Sequence, residues 1–188
     1  MAKGQWVGVN GVARKVKTKY VGVSGVARKI KAGWVGVSGV ARQYFSSGIS
    51  YTFVEGKGTA SEITSQTVSA AVSGSNWYFS VTATLSTYVS GGQPCAYVEI
   101  NDTTMAGKRL AIEYQTESVI IRTGAFVYFW DASGAIIASY DISGGTSKSY
   151  IIPTGTVKIW IGVEDHASGT ETRTLTISSL TIGDEKLV

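Results

Sequence analysis

The side chains best suited to chemistry in this chain of 188 residues are few. Its single histidine, His166, directly follows Glu164 and Asp165. An imidazole beside two carboxylates holds the ingredients of a metal site or of general acid–base work. A lone His in a polar turn after a strand is more often merely solvated, and no second His or Cys pair completes a ligand set. The expectation is therefore no metal and no cofactor. Cys95 follows Gly91-Gly-Gln-Pro94 and lacks an adjacent base to activate it, so it reads as a small buried apolar residue at the start of a strand. Glu99, Glu113, Glu117, Asp131 and Glu164 could supply a glycosidase pair, but none stands in a distinguishing context. Gly91-Gly92 and Gly144-Gly145 fall between strands rather than at a strand-to-helix junction that would cradle phosphate. These residues predict no enzyme and no catalytic residue.

Aromatic side chains point to binding instead. Sugar rings stack their C–H faces on Trp and Tyr, and the same amphipathic rings serve subunit contacts. Trp160, Trp130 and Tyr128, with Tyr97 and Glu99 behind them, are the candidate glycan or subunit contacts. Their placement depends on strands whose faces alternate. Val157, Ile159, Ile161 and Val163 form one face, which leaves Lys158, Trp160 and Glu164 on the other. Ala96, Val98 and Ile100 likewise leave Tyr97 and Glu99 outward. With Val127 and Phe129 in the core, Tyr128 and Trp130 join Trp160, Tyr97 and Tyr78 outside. Trp77, Phe79, Val81, Ala83 and Leu85 make a further inward set.

Composition agrees with strands. Charged residues make up 16% of the chain against an average near 25%, and 23 Gly accompany only 2 Pro. Val, Ile, Thr, Ser and Tyr dominate, which excludes a helical bundle and a disordered polar chain. Short strands are expected at Ser50–Val54, Trp77–Leu85, Ala96–Ile100, Arg109–Tyr114, Ser118–Thr123 and Ala125–Asp131. The series continues with Ala135–Asp141, Ser149–Ile152, Val157–Asp165 and Thr172–Ile182. Regularly spaced runs of this kind predict an all-β sandwich or jelly roll, with a hairpin over Phe126–Ile142 turning at Asp131-Ala-Ser-Gly134. One cysteine excludes an intrachain disulfide. No run of about 18 apolar residues suggests a membrane helix, and no secretory signal is evident. The expectation is synthesis in a host cytoplasm without membrane insertion.

The charge is divided. Residues 1–44 carry nine basic side chains and no acid, while residues 45–188 carry eight basic against thirteen acidic ones, a net −5. The basic part is a tandem repeat of period 14. Trp6-Val-Gly-Val-Asn-Gly-Val-Ala-Arg-Lys-Val-Lys17 returns from Tyr20 to Lys31 and again from Trp34 to Arg42. Asn10-Gly11, Ser24-Gly25 and Ser38-Gly39 sit between apolar runs, the signal of a two-residue hairpin. That turn pairs Val9 with Val12, Gly8 with Ala13 and Val7 with Arg14. The basic residues either guard hairpin edges or dock on an acidic surface, and direct nucleic-acid binding is disfavoured because no recognised motif accompanies them.

The pattern [WY]-V-G-V-[NS]-G-V-A-R-K-[VI]-K resembles the N-terminal repeats of structural proteins of tailed bacteriophages and prophages of Gram-positive hosts. The resemblance covers about residues 5–44. It implies a virion location, in a tail, baseplate, fibre or head-surface protein, with other virion proteins as partners. Arg14, Arg28, Arg42, Trp6, Tyr20 and Trp34 would be the particle-anchoring residues. Residues 1–46 form the anchoring module in this reading, and residues 47–188 a jelly-roll sandwich. The stretches Val127–Gly134, Tyr150–Trp160 and Leu175–Ile182 resemble carbohydrate-binding-module-like jelly rolls. Homo-oligomerisation is expected on a symmetric particle, with a host cell-surface glycan as a further partner. The alternative is a carbohydrate-binding adhesin module without a virion role.

Overall fold

The structure is a computed structural model. It describes residues 49–117 and 124–188 in full, together with the backbone of residues 6–9, 12–15, 19–23, 26–30, 32–37 and 40–46. The chain divides into two compact units, Met1–Gly48 and Ile49–Val188.

In the first unit, β1 (Trp6–Val9) pairs with β2 (Val12–Lys15), β3 (Lys19–Val23) with β4 (Val26–Ile30), and β5 (Ala32–Val37) with β6 (Val40–Ser46). Each pair is a separate antiparallel ladder. The same register occurs three times: Val9 faces Val12, Val23 faces Val26 and Val37 faces Val40. Val7, Val21 and Val35 accordingly stand opposite Arg14, Arg28 and Arg42, the pairing that a two-residue connection dictates. The third hairpin adds a bulge between Gly33 and Trp34. The connecting residues 10–11, 24–25 and 38–39 and the side chains of the proposed anchoring residues lie outside the described residues.

The second unit is a β-sandwich. Its strands are β7 (Ser50–Gly56), β8 (Ile63–Ser73), β9 (Asn76–Leu85), β10 (Cys95–Asn101), β11 (Arg109–Glu117) and β12 (Ala125–Trp130). They continue with β13 (Ile136–Asp141), β14 (Ser147–Ile151), β15 (Lys158–Glu164), β16 (Gly169–Ile182) and β17 (Glu185–Lys186). One sheet runs β13-β12-β15-β10-β7, and the other β14-β11-β16-β9-β8 with β17 on β16. The two orders match position by position as chain neighbours: 13 with 14, 12 with 11, 15 with 16, 10 with 9, 7 with 8. The chain therefore crosses between sheets at most connections; among the described residues of this unit, only β8–β9, β12–β13 and β16–β17 are local hairpins.

Alternation decides what fills the interior. Trp77, Phe79, Val81, Ala83 and Leu85 of β9 are buried, and so are Ala96, Val98 and Ile100 of β10 and Val127 and Phe129 of β12. They join Ile159, Ile161 and Val163 of β15 and Leu175, Ile177, Leu180 and Ile182 of β16 in one core cluster. Apolar burial on this scale, at about 25 cal/mol per Å², dominates the stability of the unit. The Phe126–Ile142 hairpin forms as its turn chemistry dictates. Asp131 Oδ1 accepts from the amides of Ser133 and Ala135, and Gly134 takes the left-handed φ of 84°.

Three expectations need revision. Tyr78 does not share a face with Trp160, because β9 belongs to the other sheet. The long edge strand β8 was not among the expected strands: its Ser-, Thr- and Ala-rich run lacks large apolar alternation, and it is defined by pairing with β9. Val157 precedes β15 and is half-buried rather than part of the inward set. The expected strand Ser118–Thr123 lies outside the described residues.

The amide of Ile49 donates to Glu185 Oε1 at 3.2 Å, so the entrance to the sandwich is fastened to its last hairpin. A fragment spanning residues 47–188 should thus unfold in one cooperative thermal transition. Residues 1–46 alone should give a weak, non-cooperative signal, since isolated two-stranded hairpins are marginal in water. Circular dichroism melts of both fragments check this, and a molten 47–188 fragment would show that the repeats complete the core.

Candidate functional site

The outer face of the five-stranded sheet is where the aromatic residues converge. Antiparallel register sets Tyr128 of β12 beside Trp160 of β15, and Trp160 beside Glu99 of β10. One step along, Phe126 and Tyr97 flank Gly162 from the two sides. One step the other way, Trp130 lies beside Lys158. Sequence alternation therefore brings together Trp160, Trp130, Tyr128, Tyr97 and Glu99 as expected, and adds Phe126.

These rings pack on one another rather than standing free. Ring centroids lie 4.4 Å apart for both Tyr97–Trp160 and Trp130–Trp160, and 4.3 Å for the stacked pair Phe126–Tyr128. Trp160 is thus held between two rings, and Lys158 Nζ lies 5.6 Å from its ring centre. Phe126 and Tyr97 are buried although they point away from the sandwich core. Gly162 sits where β10 runs very close to β15. A methyl group at that position would be driven into the Ala96 carbonyl oxygen and to 2.5 Å from Tyr97 Cβ, so only a residue without Cβ lets the β10 backbone approach this closely beneath the rings.

Polar groups fasten the layer at both ends. Trp160 Nε1 donates to Glu99 Oε2 at 2.8 Å, and Asn101 Nδ2 donates to Glu99 Oε1 at 2.9 Å. Lys158 Nζ completes the cluster 3.6 Å from Glu99 Oε2. Burial alone would raise the Glu99 carboxyl, but the hydrogen bonds from Asn101 and Trp160 and the Lys158 charge hold it below its ordinary range.

At the other end stands Glu164, which sequence alternation left pointing outward among exposed acids. The direction is right and the environment is not: Glu164 is 8% exposed. Tyr128 OH donates to Oε1 at 2.7 Å, Gln93 Nε2 donates to Oε2 at 3.0 Å, and His166 Nε2 lies 3.0 Å from Oε1. Burial would raise this carboxyl too; the three donors overcome that and keep it below the usual carboxylate range. The Tyr128 phenol is pushed up by burial and by the adjacent carboxylate.

His166 is likewise not a solvated turn residue. Its Nδ1 meets the Val89 carbonyl at 2.9 Å while Nε2 meets Glu164, so both ring nitrogens face acceptors. A neutral imidazole donates only one hydrogen bond, so satisfying both requires the imidazolium. The Glu164 bond raises the His166 pKa above its ordinary 6.5, burial opposes this, and the Val89 carbonyl adds to the rise. Asp165 turns away from His166 to Arg173 Nε at 2.8 Å. The Glu164-Asp165-His166 run therefore splits between two networks, and no group of three metal-binding side chains occurs among the described residues.

Cys95 is half-buried on the outer face, not in the core, because it occupies the same alternation phase as Tyr97 and Glu99. Burial and the nearby Glu164 charge push its thiol up to about 11. A protonated thiol is a poor nucleophile.

Between the ring edges lies a recess of about 280 Å³ lined by Gln93, Cys95, Phe126, Tyr128, Trp130, Ile136, Trp160 and Glu164. Two buried polar atoms of its lining, Gln93 Oε1 and Trp130 Nε1, have no hydrogen-bond partner among the described residues. Each such atom costs about 1–3 kcal/mol when left unmade. Sequence reasoning missed Gln93, whose role appears only when the loop before β10 folds over the sheet.

Two measurements test this construction. Gly162→Ala should destabilise the sandwich by about 1–3 kcal/mol, read in denaturant melts, because the β10 backbone at Ala96 and Tyr97 must move away from β15 to admit the methyl. The His166–Glu164 pair should make stability depend on pH with a defined sign. The raised His166 contribution is present below pH 6.5 and lost as pH rises through its folded pKa. The lowered Glu164 contribution is present above 4.5 and lost as pH falls through its folded pKa. Thermal stability should peak near pH 5–6, at about the gap between the two ordinary values. His166→Gln should flatten the decline on the alkaline side; an unchanged slope would contradict the assignment.

No family model and no curated protein matches this chain. Among solved structures, the enzymatically active domain of tailspike protein 4 of bacteriophage CBA120 matches with a TM-score of 0.42 at 17% identity, covering 71% of this chain and 19% of that one. A structure of accessory secretory proteins 1, 2 and 3 of Streptococcus pneumoniae matches with a TM-score of 0.35 at 11% identity, covering 64% of this chain and 86% of that one. The K1 cleaved adhesin domain of Lys-gingipain from Porphyromonas gingivalis W83 gives a TM-score of 0.30 at 12% identity, covering 68% and 97%. This chain spans about a fifth of the tailspike, and the activity of that domain belongs to that protein.

Proposed function

We propose that this chain is a non-enzymatic display protein of a bacteriophage particle: the basic hairpin repeats anchor it, and the sandwich is presented for decoration or host-surface contact. The observation that carries this reading is the pairing of two compact units with opposite character. One repeats a single hairpin register at period 14 in a segment with nine basic residues and no acid. The other is a net acidic sandwich bearing an aromatic outer face.

The same hairpin register recurs every 14 residues of sequence, which suits a partner that is itself repetitive. Arg14, Arg28 and Arg42 occupy equivalent positions, as do Trp6, Tyr20 and Trp34. Arginine forms two parallel hydrogen bonds with carboxylates, so three at equivalent positions of the repeat suit an acidic protein surface. The resemblance of these repeats to tailed-phage structural proteins names that surface as other virion proteins, and a symmetric particle brings homo-oligomers with it.

The adhesin alternative draws on the aromatic face alone and leaves the basic repeats without a partner other than anionic cell-wall polymer. The two readings differ in what arginine reversal does. Converting Arg14, Arg28 and Arg42 together to Glu confronts an acidic partner with like charge, a penalty larger than removing a rim charge. The triple variant should fail to co-sediment with particles while its sandwich keeps the melting transition of the parent chain. Normal incorporation would reduce the arginines to edge guards and remove the anchor from this unit.

A further inference from the structure

We infer that the free edge of β13 pairs antiparallel with β13 of a second copy of this chain, about a two-fold axis at Ser139. The inference deepens the display reading by naming the surface through which copies meet, and leans on that reading for nothing else.

The two open sides of the sandwich are unlike. Strands β7 and β8 end the two sheets on one side, β13 and β14 on the other. On the first side, side chains occupy the strand edges. The Ala70 amide of β8 donates to Glu55 Oε1 of β7 at 3.0 Å, and Gln66 of β8 accepts from the Gly58 amide and donates to its carbonyl. The second side carries four of the seven exposed large apolar side chains among the described residues: Ile136, Ile137 and Tyr140 on β13, and Ile151, 67% exposed, on β14. Proteins ordinarily blunt such an edge with charge or proline, and residues 136–140 hold neither. The bulge of β13 lies at its start and leaves residues 138–141 in continuous register.

Backbone alternation fixes which groups face that side. The Ile142 amide donates to the Ala125 carbonyl, so Ala125 and Ile142 form a hydrogen-bonded pair, and Val127–Tyr140 and Phe129–Ala138 are pairs of the same kind. The N–H and C=O groups of Ser139 and Asp141 therefore point away from β12, along the open edge. A second copy turned about Ser139 sets Ser139 opposite Ser139, Tyr140 opposite Ala138 and Asp141 opposite Ile137. In this register each outward N–H meets an outward C=O of the other copy, and the contact closes as a dimer. Large Tyr140 lies against small Ala138 twice, by symmetry, and its ring is already held by stacking on Tyr150 at 4.4 Å. Charge does not oppose the pairing. The two Asp141 residues stand four positions apart along the ladder, about 13 Å at the rise of a strand, beyond a Debye length of about 8 Å. Because β14 stands beside β13 across the sandwich, the same axis brings Ile151 to the seam. The strand edge and the apolar side chains around it are thus covered by one contact with an identical surface, which is why the occupant is a second copy.

The test joins sedimentation equilibrium of the full chain to amide hydrogen exchange read by NMR across a dilution series. The expected result is a monomer–dimer equilibrium in which the Ser139 and Asp141 amides gain protection as the dimer fills. The Ala138 and Tyr140 amides, bonded to β12, should be protected at every concentration. Ser139→Pro removes the central donor of both copies at a position whose N–H leaves the β12 ladder intact, and Ile137→Lys places a charge on the edge. Each should weaken dimerisation at least about tenfold, with the thermal transition of the dilute monomer unchanged. If Ser139→Pro lowers that transition, Ile137→Lys decides. A chain that stays monomeric overturns the proposal, whether or not a strand of another virion protein covers the edge on particles. So does a dimer that survives Ile137→Lys, or one whose Ser139 amide still exchanges freely, since such a dimer uses the ring face or the hairpin unit. Particle co-sedimentation of the arginine variant is read separately, so failure of the display reading and failure of this pairing are distinguishable.

Discussion

A strand shows its residues to two sides, and β12 is apolar on both. Phe126, Tyr128 and Trp130 alternate with Ala125, Val127 and Phe129, so the sheet that closes the sandwich core also carries a second oily surface away from it. Water cannot be left against that surface without a large penalty. The sequence resolves it by covering the outside with its own rings and by omitting a side chain at Gly162, the centre of the layer. The setting of Glu164 follows from this cover: its hydrogen bonds from Tyr128 and Gln93 are shielded because the layer displaces solvent around it, whereas Glu99 stays partly exposed at the other end.

The topology adds a constraint of another kind. With chain neighbours standing across from each other in different sheets, most ladders join residues far apart in sequence; β9 pairs with β16, and β10 with β15. Such pairings must close long loops before they gain anything, which makes assembly slow compared with a helical domain of equal size. The repeat unit is the opposite case, since each of its hairpins closes over a two-residue connection. One chain thus joins a fast-forming, locally specified part to a slow, globally specified one.

How much of this was readable in the residues depends on the kind of information. Strands with large alternating side chains, such as Trp77–Leu85, declared both their existence and their faces. The hairpin register followed from the length of the connection. Strand β8 was invisible because Ser, Ala and Thr carry little alternation, and its place is set by β9. Alternation also assigned Tyr97, Glu99 and Glu164 to the correct side, but it cannot say whether that side is wet. Glu164 is sheltered by Tyr128 and Gln93, which arrive from distant parts of the chain, and His166 lies against Tyr88 and the Val89 carbonyl. Direction is a local property of the backbone, whereas burial is a collective one. Tyr78 shows the limit from the other side: its local phase is clear, and only sheet membership tells which surface it joins.

The hydrogen bond from Ile49 to Glu185 brings the first and last strands of the sandwich together at one corner. A folded body whose chain leaves beside the place it enters behaves as a cassette. It can be spliced onto either end of another protein, lodged within a surface loop, or cut open elsewhere and rejoined, without stretching what surrounds it. The hairpin array is then exchangeable: the same sandwich could be carried by a different tether, and the same tether could carry a different head.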